Sequence, residues 1–124
     1  MTNKQLRESI ANYLDADGLL KQRIFNQELY PFFIQIIEGV FATLKLSYER
    51  RDYEDLKQDA LLKILNTIVT KEALDRIKNV RNYCFMLARY GTIDSIRRNN
   101  TYEKFIEVDD NLLDENIEDE ETEY

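Results

Sequence analysis

Histidine and tryptophan are absent from this 124-residue chain, cysteine and proline occur once each, and glycine occurs three times. A single cysteine excludes an internal disulfide framework, and the lack of histidine argues against a zinc site built from the usual nitrogen and sulfur ligands. The shortage of proline and glycine leaves long runs free of helix breakers, which favours an all-α class. No apolar run approaches eighteen residues and there is no secretory h-region, so the chain is expected to be soluble and intracellular. The longest apolar patch, 31–46, is interrupted by Gln35, Glu38 and Lys45; it reads as a core helix. Nor is there a nucleophile motif or a glycine-rich phosphate loop, and the acids of the tail lack the glycine and spacing of a calcium loop. A non-enzymatic protein with no cofactor and no metal is the expectation.

What the chain does have is charge, unevenly placed. The net charge of −7 divides into a body, residues 1–100, with 16 Lys and Arg against 13 Asp and Glu, and an end, residues 101–124, with one Lys against 11 acids. The body is mildly basic, and an acidic total says little against nucleic-acid binding, which depends on the local patch. Length allows one domain, placed at 1–105. Residues 106–124 form an acidic tail with too few apolar residues for a core, and this tail is expected to be disordered when free.

In chain order, Thr2 and Gln5 form a capping-box pattern ahead of Leu6, Ile10, Tyr13 and Leu14 at helical spacing. Gly18 suits a left-handed helix stop, and a short second helix is predicted over 19–27. Pro31 is tolerated in the first turn of the next helix, which is apolar around most of its circumference to about Leu46 and is expected to be the central post. Asp52 can cap the following helix, whose first turn carries Glu54 and Asp55. The stretch 66–75 breaks periodicity and predicts a loop with one helical turn. Asn79 can cap a last long helix of roughly 30 Å ending near Arg98.

Two helix surfaces carry the candidate function. On the Asp52 helix, Tyr53, Leu56, Ala60, Ile64 and Ile68 share the buried arc, and Asp55, Gln58, Asp59, Leu62 and Asn66 the opposite one. A leucine amid acids reads either as a solvated face with one stray apolar residue or as a docking face for a basic partner with Leu62 as anchor. On the Asn79 helix, Tyr83, Tyr90 and Arg97 share a stripe with Asp94 beside it, next to an arc of Val80, Cys84, Leu87, Ala88 and Gly91. That pattern reads either as a core helix edged with tyrosines or as rings that stack unpaired bases beside guanidinium groups that meet phosphates. Residues 76–104 carry net +5, which tilts the balance toward nucleic acid.

In this order the two helices resemble region 2 of bacterial sigma factors, the segment that binds polymerase and reads promoters. The family's Asp-Leu-x-Gln-[Glu/Asp] core stands here as Asp55-Leu-Lys-Gln58-Asp59. The run from Asn79 to Arg89, Asn-Val-Arg-Asn-Tyr-Cys-Phe-Met-Leu-Ala-Arg, is similar to the second signature, and Asp94-Ser-Ile-Arg-Arg98 to its ending. Small size, the Asn3-Lys-Gln-Leu opening and the acidic end make the chain most similar to the late-gene sigma factors of T-even-type bacteriophages, over roughly residues 3–105.

The resemblance implies a compact helical bundle and a transcription-initiation role in the cytoplasm of a bacterial host. It implies that Asp55, Gln58, Asp59 and Leu65, with Leu62, bind the clamp coiled coil in the largest subunit of RNA polymerase core. It implies that Tyr83 stacks on the flipped adenine of a −10-like promoter element, that Arg89 lies nearby, that Tyr90 and Ile93 read the upstream edge, and that Arg97 and Arg98 meet promoter DNA. A co-activator or sliding clamp is a further implied partner; no membrane is. Met86-Leu87 replaces the family's paired tryptophans, no second domain for the −35 element follows, and the tail lacks the apolar motif that attaches late sigmas to the polymerase flap or sliding clamp. The rival reading is a polymerase-binding adaptor or inhibitor that has lost promoter opening.

Overall fold

In a computed structural model, which describes residues 1–99 apart from the Asn99 side chain, the chain begins with the capping box that its sequence encodes. The Gln5 amide donates to Thr2 Oγ1 at 3.1 Å and the Thr2 amide to Gln5 Oε1 at 2.9 Å. This starts α1, Asn3–Asp15, which buries Leu6, Ser9 and Ile10. Gly18 has φ +57° as expected of a left-handed position, but it opens α2, Gly18–Ile24, while the end of α1 is made by extended Ala16.

The predicted separate helices over 19–27 and from Pro31 are one continuous helical path. After α2 comes a π-helical turn, Phe25–Leu29, then α3, Tyr30–Thr43. The Tyr30 amide donates five residues back, to the Phe25 carbonyl. Proline has no amide hydrogen and its ring crowds the carbonyl four residues earlier, so Pro31 disfavours a regular turn at this point. The wider turn lets the helical path pass through, and Pro31 stands in the first turn of α3 as expected.

α3 ends at Thr43. Leu44 caps it, the Lys45 amide donates to Ala42 O at 3.1 Å and the Leu46 amide to Phe41 O at 3.0 Å. This is a Schellman closure with Lys45, at φ +59°, in the position glycine usually takes. α4, Tyr53–Ile68, follows a turn-rich loop. Asp52 precedes it but makes no side-chain cap; its carboxylate is held by Arg50 Nε at 2.5 Å, a charged donor that outcompetes a backbone amide. Phe41 meets Tyr53 edge-on, with centroids 5.1 Å apart, and locks the end of α3 to the start of α4.

α5, Lys71–Arg76, is capped by Thr70 Oγ1, and α6, Val80–Asn99, by Asn79 Oδ1 receiving the Asn82 amide at 3.0 Å. No strand occurs among the described residues, and the helices form a compact all-α bundle. The central position expected for the Pro31 helix is taken by α6, which packs against α1, α3 and α4. Its buried side chains, Val80, Cys84, Leu87, Ala88, Ile93 and Ile96, meet Phe33, Ile37, Phe41, Leu56, Ala60 and Ile64 in one core. Fully burying a side chain of this size contributes about 1.5 to 3 kcal/mol, so the core fixes the angle between α4 and α6 firmly. The tail at 106–124 and the domain end at 105 lie outside the described residues.

Candidate functional site

The two surfaces singled out in the sequence lie on neighbouring helices. α4 and α6 form the most extensive helix pair among the described residues and come close together at Gly91. A Cβ at Gly91 would stand 3.2 Å from Lys63 Cδ and 3.8 Å from Ala60 Cα, so the helices meet backbone to backbone there.

On α4 the predicted arcs are those observed. Leu56, Ala60, Ile64 and Ile68 are buried, with Leu61 beside them, and Tyr53 is half-buried. Asp55, Gln58, Asp59, Leu62 and Asn66 are exposed, Leu62 at 54%. Leu65 differs: it is half-buried and packs against the core at the edge of the face. Asp59 is engaged from across the crossing, because Ser95 Oγ donates to its Oδ2 at 3.2 Å. Ser95 is itself almost fully buried and accepts from Arg98 Nη2 at 3.2 Å. Arg98 also pairs with Asp94, Nε to Oδ2 at 3.5 Å, an exposed i,i+4 contact.

The chain Asp59, Ser95, Arg98 lies in a groove of about 430 Å³ between α4 and α6, lined also by Leu62, Lys63, Asn66, Thr67, Gly91 and Asp94. Arg98 therefore belongs to the α4 side of the molecule and not to the tyrosine stripe. Sequence reading did not find Ser95. The available signal was its spacing, four residues after Gly91 on the face that meets α4.

Along α6, Val80, Cys84, Leu87, Ala88 and Gly91 are buried as expected. Tyr83 and Tyr90 are half-buried and pack against the core, and Arg97 is exposed. Arg89 turns toward the end of α3, where its Nη2 donates to Thr43 Oγ1 at 3.1 Å. Ile93 is 3% exposed, which corrects its expected place on the DNA-facing surface. The physical reason is that α6 has neighbours on three sides, so its buried face extends past the arc that one partner would require. Met86 and Leu87 are in the core as well.

Elsewhere on α4, Lys57 sits between Glu38 Oε2 at 3.2 Å and Glu54 Oε2 at 3.7 Å, above the Tyr53 ring. Burial works to lower its pKa, but the Glu38 hydrogen bond and the two carboxylate charges outweigh it, and the net direction is upward. Among the described residues no cluster of three or more His, Cys, Asp or Glu could hold a metal ion, and no helix is long and apolar enough to cross a membrane. No protein-family model, curated protein or solved structure matches the chain.

Proposed function

We propose that this protein is a compact sigma-type transcription factor of bacteriophage character, docking on the clamp coiled coil of RNA polymerase core through α4 and engaging promoter DNA at a −10-like element. The observation that carries the reading is the α4 surface: Asp55, Gln58 and Asp59 are exposed around Leu62, a half-exposed leucine ringed by acceptors. An apolar anchor surrounded by acids fits a basic partner helix, with the charges steering encounter and the leucine supplying contact area. The close α4 and α6 crossing at Gly91 supports it too, because docking one helix then sets the position of the other rigidly. Residues Tyr83, Arg89, Tyr90, Arg97 and Arg98 are the proposed DNA contacts. Arg98 lines the groove between α4 and α6.

The adaptor or inhibitor reading has its own support. Ile93 is buried, Met86 and Leu87 are core residues, and Tyr83 and Tyr90 are half-buried, so the means of prising a duplex open is reduced. One experiment separates the readings: reconstitution with host polymerase core, followed by transcription from the promoters of the source genome. Promoter-directed initiation establishes the sigma role. Stable complex formation with inhibition of initiation establishes the rival, and no complex removes both.

A further inference from the structure

The most exposed ring of the described residues lies on neither helix surface. Tyr48, 77% exposed, stands in the loop between α3 and α4, and this loop is built rather than slack. The Arg50 amide donates to Ser47 O at 3.0 Å and the Glu49 amide to Ser47 Oγ at 3.1 Å, so Ser47–Arg50 is a closed turn with Tyr48 at its second position. The Tyr53 amide then donates to Arg50 O at 3.0 Å, and Asp52 holds the Arg50 guanidinium. Two exposed cations stand three residues to either side in the chain, Lys45 before the tyrosine and Arg51 after it, with exposed Glu49 next to the ring in sequence.

Lys45 is the telling residue. At φ +59° it occupies a conformation that side chains with a Cβ disfavour, at a helix end where glycine is the ordinary choice. Lysine at this helix stop puts a positive charge at the foot of the turn. Arg89 of α6 reaches Thr43 on the last turn of α3, from which the loop departs, so one cation of α6 lies at the loop's base.

We infer that the 44–52 loop is a stacking site for an unpaired base of single-stranded DNA, with the Tyr48 ring as platform and Lys45 and Arg51 as its phosphate contacts. This deepens the reading of the chain as a promoter-binding factor and rests on it. Stacking needs an open ring face, and the half-buried Tyr83 and Tyr90 offer less of one than Tyr48 does. The closed turn presents the ring without ordering the loop on binding, which removes an entropic cost.

The test uses the full chain and a fluorescent 12-nucleotide oligothymidylate at about 50 mM salt, read by anisotropy. Tyr48→Ala should weaken binding roughly five- to a hundredfold, and Tyr48→Phe should keep most of it. Arg51→Ala should lower the slope of log affinity against log salt by about 0.7, the single-strand value for one phosphate contact. Since Tyr48 is exposed, the thermal midpoint of the Ala variant should be unchanged. No binding by the native chain, equal affinity of Tyr48→Ala and the native chain, or tighter binding of the matching duplex or of oligouridylate overturns the inference. Polymerase binding through α4 is measured separately by pull-down. A loop variant without effect beside an intact polymerase complex defeats this site and leaves the proposed function standing.

Discussion

Replacing Leu62 tests the docking face with the least disturbance to the fold. Leu62 is 54% exposed, so about half of its surface is already withdrawn from water and only the rest is available to a partner. Full burial of a leucine contributes about 1.5 to 3 kcal/mol, and the exposed half therefore contributes about 1 kcal/mol on docking. Leu62→Ala should weaken binding to polymerase core about fivefold, measured by biolayer interferometry on immobilised core enzyme. Leu62→Lys adds a cation where the partner is expected to be basic, and should cost about tenfold or more beyond that. Neither residue change removes a core contact, so thermal midpoints should stay within a degree or two of the native chain. Asp59→Lys is a poorer probe, because it also breaks the hydrogen bond from buried Ser95. If folded Leu62→Lys binds core polymerase as the native chain does, the α4 face is not the docking surface.

Three further outcomes follow from other contacts. Tyr83→Ala should reduce promoter opening by about one to two orders of magnitude in permanganate footprinting, with Tyr83→Phe near normal; because Tyr83 is half-buried, the Ala variant should also melt earlier, and a stable variant that opens promoters normally would remove its role. Arg7 donates to Ile77 O at 2.6 Å and Leu74 O at 2.5 Å, so Arg7→Ala should lose about 2 to 4 kcal/mol in urea unfolding, against the expectation of under 0.5 for an exposed arginine without such bonds. Lys57, raised above its ordinary 10.5, contributes stability that is complete below that pH and is lost as pH rises through its folded value. Glu38→Gln should shrink this alkaline loss in thermal midpoints taken from pH 9 to 12, and an unchanged profile would show that the Glu38 contact does not sustain the shift.

Where a structural feature depends on residues a few positions apart, it was legible beforehand. The Thr2 and Gln5 box, the Asn79 cap, the two arcs of α4 and the small residues of α6 that admit a close neighbour all follow from helical spacing. Features that need distant partners were not. Nothing local announces that Arg7 will take carbonyls at Leu74 and Ile77, or that Ser95 will reach Asp59. Ile93, placed at the DNA by the resemblance, is buried for the same reason: nothing local tells how many neighbours a helix has, and α6 has three. At Asp52 and Pro31 the local rules themselves competed, a salt bridge against a cap and a ring clash against a regular turn.

The π-helical turn at Phe25–Leu29 has an implication for the phase of the whole molecule. A turn of this kind is a regular helix holding one residue too many, and each residue advances a helix by about 100°. Deleting a single residue between Phe25 and Leu29 would let the path from Gly18 to Thr43 close into regular hydrogen bonding, yet it would rotate everything beyond it by that angle against everything before. Either Phe33, Ile37 and Phe41 would swing out of the core, or Ile24 would leave its place against α1. The extra residue acts as a phase shifter, allowing one helical path to serve two packing partners that lie in different directions. Length variation should therefore be far less tolerated at these five positions than in the α4 to α5 connection, although both are away from the proposed binding surfaces.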